Sequence, residues 1–476
     1  MTTHAMPKRP RIIPESYQLL ANWRYVEYSL LRIICGWGRQ ACDWQDKLAV
    51  CYHAWLQAEN VDRLRRRLDQ YPGGRPEAPV GKTYESLMNT VLLAPDFNHA
   101  MHGAHALVQA TLTRAYREYL AESHPVHDKP THEMLRELIA NHEIQAKWFA
   151  NFSQRQTTQY DQIYLTNIQR LLSEHEHLTD HATPADPYAA TVGINTEFRQ
   201  PQTPGRVPHW NEAPNIMPLL QTRWSESVEV RRLFFMIGYF WEMGVAEQQL
   251  RWLYYADFMP WQFIYEEARH MWDESRHGNS GLTRLRDFGI DIKDIGYSSY
   301  DKNGDGLLPH MTPADLYEEF FGITQVAETG YFETKRYCFE DFANGNDAAS
   351  AEMMQYDIID ETAHVEYGRK WLEELARRAG IQDDYRIRGA ERRRQRQHES
   401  DERVRALKHF LAHHELPADY QPESANAIGG LHGDLGLDAL TSPTARTHLE
   451  KLLQILRVKC PLANAASAAK RPNLPM

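Results

Sequence analysis

Apolar residues recur every third or fourth position along most of this chain, and the period-two alternation of an exposed strand is almost absent. The pattern predicts helices near residues 16–36, 42–70, 97–123, 129–154 and 158–177. A stretch with prolines at 183, 187, 201, 204, 208, 214 and 218 then interrupts it and reads as a linker or covering loop. Four more helices are expected near 224–256, 261–288, 313–343 and 346–379. Their breaks are marked by Asp257-Phe258-Met259-Pro260, by Thr312-Pro313 and by Asn344-Gly345-Asn346-Asp347. A further helix near 443–459 lies in the tail. The expected class is all-α, with an N-terminal helical domain over 1–178, the Pro-rich segment over 179–223, a second helical domain over 224–380, and a basic helix with a helical tail over 381–476.

Composition narrows the range of functions. The chain has 476 residues, of which 42% are hydrophobic, enough for two cores or one large decorated one. No apolar run approaches the length of a membrane span, and the basic start lacks a secretory apolar segment, so the expected compartment is the cytoplasm. A net charge of -11 argues against nucleic-acid binding by bulk electrostatics. The run Arg392-Arg393-Arg394-Gln395-Arg396 reads as a solvated helix face. Cysteines 35, 42, 51, 338 and 460 form no Cys-x-x-Cys, which predicts reduced, mostly buried thiols.

Candidate chemistry lies in Glu-x-x-His, which sets a carboxylate and an imidazole one helical turn apart. The sequence holds Glu174/His177, Glu267/His270, Glu274/His277 and Glu361/His364. The first is polar throughout and reads as a helix end. Glu274/His277 and Glu361/His364 share a preceding aspartate, Asp273 and Asp360, and lie at matching distances from their hairpin turns. Residues equally far from a turn face each other, so each pair points back to a partner on the preceding helix: Glu242 for the first, Glu328 for the second. Glu247 with Arg251 and Glu333 with Arg336 read instead as surface ion pairs. Gly238 and Ala246, bracketing Glu242, either leave room for a small molecule or pack helices.

This constellation resembles the ferritin-like dinuclear-metal carboxylate proteins, whose four-helix bundle takes Glu from two helices and Glu-x-x-His from the other two. The resemblance covers roughly residues 228–380. It implies Glu242, Glu274 and His277 around one metal and Glu328, Glu361 and His364 around the other, with Glu274 and Glu361 bridging. His270, four residues before Glu274, resembles the extra histidine of ferritin-like arylamine N-oxygenases. In that family it belongs to the second Glu-x-x-His helix, where this chain has Asp357. His270 and Asp357 are left as an extra ligand or a supporting hydrogen-bond partner, and for His270 plain core packing also stays open. The N-terminal domain is either a metal-free pseudo-repeat of the same fold or an unrelated helical domain.

Carboxylate-rich ligation suits two iron ions or an iron–manganese pair, and ferrous iron can reduce dioxygen. The expectation is a di-iron oxygenase or oxidase acting on a small organic substrate. Electrons would come from the substrate or a donor protein, since no dinucleotide turn or iron–sulfur cysteine set is present. Competing readings are a ferroxidase, a rubrerythrin-type peroxidase and a helical scaffold with a vestigial site. A homo-oligomer is expected. Asp301, Asn303 and Asp305 fit the start of a calcium loop, but position twelve is Thr312, better used to cap the next helix, so a polar turn is the preferred reading over calcium.

Overall fold

The computed structural model describes residues 13–181, 213–296, 310–420 and 440–459, with scattered positions between 187 and 210. Among these the protein is all-α apart from one pair of two-residue antiparallel strands, β1 (Val80–Gly81) and β2 (Pro187–Tyr188). The candidate calcium loop, Asp301 to Asp305, lies outside the described residues. Thr312 caps the next helix with a reciprocal bond to Asp315.

Packing divides the chain into two units: Met1–Gly205 with Leu250–Arg269, and Arg206–Gln249 with His270–Met476. The first holds α1 (Ile13–Trp37), α2 (Trp44–Asp69), α3 (Lys82–Leu92), α4 (Phe97–Met101), a π-helical segment π1 (His102–Gln109), α5 (Ala110–Glu122), α6 (Lys129–Arg155) and α7 (Gln162–Glu174). Its core buries Trp23, Tyr116 and Tyr119, with both tyrosine rings edge-on to the indole. His177 takes a left-handed backbone beyond the end of α7, so Glu174 and His177 do not share a helix face.

Next in chain order come α8 (Met217–Thr222), α9 (Val228–Tyr255), α10 (Trp261–Asp287), α11 (Ile292–Ile295), α12 (Pro313–Phe321), a second π-helical segment π2 (Gly322–Glu328), α13 (Thr329–Asn344), α14 (Ala348–Ala379), α15 (Tyr385–His413) and α16 (Pro443–Lys459). Glycines set how closely these helices approach. A Cβ at Gly281 on α10 would lie 2.5 Å from the Phe240 nitrogen and 2.6 Å from the Met236 oxygen, so α9 and α10 meet backbone to backbone there. At Gly368 on α14 a Cβ would lie 2.3 Å from Thr324 Oγ1 in π2. Every helix that carries a candidate ligand is thus held at short range to a neighbour.

Two sequence expectations change. Glu247 is not at the surface: it is buried and receives a bidentate bond from Arg206 at 2.6 and 2.5 Å, a partner far away in sequence. The basic run on α15 is only partly solvated. Arg396 is buried, and Arg393 donates to the carbonyl of Gln325, inside π2 where the regular helical ladder is disturbed. The expectation of free, mostly buried thiols holds for the described cysteines: Cys35, Cys51 and Cys338 are buried and Cys42 is exposed, while Cys460 lies outside the described residues.

Candidate metal centre

Four helical elements supply the polar side chains of the second unit. Glu242 comes from α9; His270, Asp273, Glu274 and His277 from α10; Glu328 ends π2; Asp357, Asp360, Glu361 and His364 come from α14. On α10 and α14 the three- and four-residue spacings stack these groups on one stripe. Glu328 sits where π2 returns to α-helix, so the wider turn sets its direction.

The structure gathers them into two groups. His270, Glu274, Glu328 and His364, all buried, each offer an atom within 4.8 Å of the others. His270 Nε2 donates to Glu328 Oε1 at 2.9 Å and lies 3.4 Å from Glu274. His364 Nδ1 faces Glu328 at 3.3 Å and Glu274 at 3.5 Å, its ring stacked on His270 at 3.8 Å. The second group is Glu242, His277 and Asp357, with His277 Nδ1 3.4 Å from Glu242 and 3.6 Å from Asp357. Core packing alone does not describe His270, and Asp357 stands with Glu242 and His277.

The partition differs from the expected one. Glu361 joins neither group; with Asp357 it binds the ammonium of Lys335, a residue the sequence reading did not single out. Lys335 is 3% exposed and 2.7 Å from Asp357, which also accepts from the Tyr239 hydroxyl at 2.7 Å. Glu274 turns toward Glu328 and His364, not toward Glu242 and His277. Glu333 is exposed, and Glu267 is buried but outside both groups.

The shared aspartates now have a role. Each reaches the imidazole of the opposite helix: Asp360 accepts from His277 Nε2 at 3.2 Å, and Asp273 lies 3.4 Å from His364 Nε2. Arg276 donates to both aspartates. Each imidazole therefore turns Nδ1 into the cluster while a carboxylate fixes its tautomer from behind, the arrangement metal-binding histidines use.

Electrostatics and hydrogen bonding test whether a cation fits. Glu328 Oε2, Glu361 Oε2, Asp357 Oδ1, Glu242 Oε2 and His364 Nδ1 are buried without a hydrogen bond among the described residues. Orphaned acceptors of this kind are costly unless a cation serves them. Burial pushes Glu242 up to about 7, Glu274 adding to the effect and His277 opposing it. Burial would also raise Glu328, but His270 and His364 beside it overcome that and hold it at about 2. Burial works against the Lys335 ammonium, yet Asp357, Glu361 and Glu242 outweigh it and raise its pKa well above the ordinary lysine value. A divalent ion among His270, Glu274, Glu328 and His364 fits both the donor set and the charge.

Beside these groups lies a cavity of about 110 Å³. Phe234, Phe235, Val245 and Ile323 give it an apolar wall, while Glu274, Glu328, Glu361 and Lys335 border it on the other. Gly238 lines it, and a Cβ there would meet nothing within 4 Å, so of its two sequence readings the structure supports open room. A second, more polar cavity of about 320 Å³, also bordered by Tyr239, reaches His277, Asp357 and Asp360. Among the described residues no helix is long and apolar enough to cross a membrane. Compared with protein-family models, curated proteins and solved structures, the chain matches none.

Proposed function

We propose that this protein is a metal-dependent oxidase or oxygenase of the ferritin-like, di-metal carboxylate type, acting on a small, largely apolar organic molecule. The observation that carries the proposal is the buried His270, Glu274, Glu328 and His364 group opening onto an apolar cavity. A ferroxidase needs a route for hydrated ions to its metals, whereas this cavity suits a carbon skeleton.

In this reading His270, Glu274, Glu328 and His364 hold one ion, and Glu242, His277 and Asp357 hold a second. Iron suits the carboxylate and imidazole set, with manganese the alternative, and a ferrous pair supplies the electrons that reduce dioxygen. The protein does the rest. Asp273 and Asp360 keep the imidazoles aimed, Tyr239 orients Asp357, and Phe234 and Phe235 exclude water from one wall of the cavity. Lys335 and Glu361, paired with each other, both border the cavity.

The test is anaerobic loading with two equivalents of ferrous iron, followed by dioxygen in a stopped-flow instrument with a panel of small aromatic and aliphatic compounds. Rapid oxygen uptake that one compound class accelerates is expected, with its loss in Glu328→Gln. Uptake unchanged by Glu328→Gln, or no uptake at all, would count against the reading.

A further inference from the structure

We infer that the first unit is a second copy of the metal-bearing helix set, in which the ligands have been exchanged for groups that bond one another directly and the cavity has been filled. The copy rests on the reading of the second unit as a metal centre for its meaning, but on independent positions for its existence.

The helices run in the same order. Long helices α1 and α2 correspond to α9 and α10; a short helix follows in each; α4, π1 and α5 correspond to α12, π2 and α13; α6 corresponds to α14. The match continues at single residues. Asn60 Nδ2 donates to Glu27 on α1 at 3.4 Å, as His277 Nδ1 faces Glu242 on α9 at 3.4 Å. From Trp44, which starts α2, His53, Gln57 and Asn60 lie 9, 13 and 16 positions on; from Trp261, which starts α10, His270, Glu274 and His277 lie 9, 13 and 16 on. Gln109 ends π1 as Glu328 ends π2. His142 and Gln145 lie 13 and 16 positions into α6, as Glu361 and His364 do in α14.

Contacts away from these positions repeat as well. Arg67 and Arg284 each lie 23 positions past the tryptophan that starts their helix. Arg67 binds Asp128 at 2.9 Å and donates to Thr131 Oγ1 at 2.8 Å. Arg284 binds Asp347 at 3.0 Å and donates to Ser350 Oγ at 3.2 Å. Asp128 and Asp347 are the residues just before α6 and α14. A clamp with the same three roles at matched positions is not something two unrelated helical folds would share by chance.

Against that common frame the differences are chemical. Glu274 and Glu328 are matched by amides, Gln57 and Gln109; His277 and His364 by Asn60 and Gln145; Glu361 by His142. Glu27 stays a carboxylate but is served by protein donors: Tyr116 at 2.7 Å and His142 at 2.9 Å. Tyr116 stands 7 positions after Gln109, as Lys335 stands 7 after Glu328. Gln57 donates to Gln145 at 3.3 Å, so two former ligand positions meet each other. Trp23, four positions before Glu27, matches the cavity-lining Gly238, four before Glu242, and packs its indole on Tyr116. The first unit thus joins Glu27 to Asn60, Tyr116 and His142, and Gln57 to Gln145, by direct hydrogen bonds, and fills with an indole the space the second keeps open.

Two full-length variants test this against the parent, with ferrous and cobaltous ions as probes. The chain carrying Gln57→Glu, Asn60→His, Gln109→Glu, His142→Glu and Gln145→His should take up at least one metal equivalent more than the parent, with a new cobalt absorption band. A folded variant with the parent's metal content overturns the inference. The converse chain, Glu27→Gln with His142→Gln, should keep the parent's metal content and oxygen uptake while melting earlier. Loss of a metal equivalent there would show a working site in the first unit and overturn it equally. A parent that binds no metal would contradict the proposed function instead, so the two failures are told apart.

Discussion

Lys335 is the residue on which the second metal position turns. Its ammonium lies between Asp357 and Glu361, 3% exposed, and draws away a carboxylate that the sequence assigns to metal. An ion among Glu242, His277 and Asp357 competes with a built-in cation for Asp357. In the first group the ion-pair partners of Glu274 and Glu328 among the described residues are the imidazoles of His270 and His364. Lys335→Met should therefore tighten binding of the second metal equivalent by on the order of 10-fold, since a buried charge partner is removed and two carboxylates are released. Calorimetric titration with manganous ion reads both equivalents, and a weaker second equivalent in the variant would show that Lys335 supports the site. Turn distance and Glu-x-x-His spacing are local quantities, so the sequence could single out Glu242, Glu274, His277, Glu328, Glu361 and His364, of which the structure gathers all but Glu361 into the two groups. Lys335 was hidden, since Lys at helical spacing reads as a solvated face and only the fold brings it against α14.

Among elements, the contact between α9 and α10 decides whether Glu242 and His277 can share an ion. Gly281 lies one turn beyond His277, where the two backbones touch. Gly281→Ala would place a methyl group against the Phe240 nitrogen and push α10 off α9. A loss of about 1–3 kcal/mol in chemical denaturation is expected, with weaker binding at the second metal position. Unchanged stability and metal content would mean that the helices have slack the structure does not show. The helices themselves were readable from the apolar period, and their ends fall within a few residues of the expected ones, as at 261–288 against Trp261–Asp287. The π segments were not readable. One extra residue per turn barely alters the apolar period, yet it sets the direction of Glu328. The crossing of Asp273 and Asp360 to opposite histidines was hidden likewise, because the shared Asp is visible in the sequence but its partner is not.

At the scale of the molecule, the chain carries one set of helices with ligands and a second with their hydrogen-bonding replacements. The sequence left the N-terminal domain open between a pseudo-repeat and an unrelated fold, because Gln57, Asn60, Gln109 and Gln145 erase the Glu-x-x-His signature that would have revealed kinship. Position counts from helix starts recover it, and those starts need the structure. The account's central claim is that a metal ion sits among His270, Glu274, Glu328 and His364. Crystals of the full chain grown with ferrous or manganous ion, measured at wavelengths on either side of the metal's absorption edge, test it most directly. The strongest anomalous peak is expected among those four side chains, with a weaker one near Glu242, His277 and Asp357. Four side chains hydrogen-bonded to one another, with no anomalous density between them, would contradict the claim.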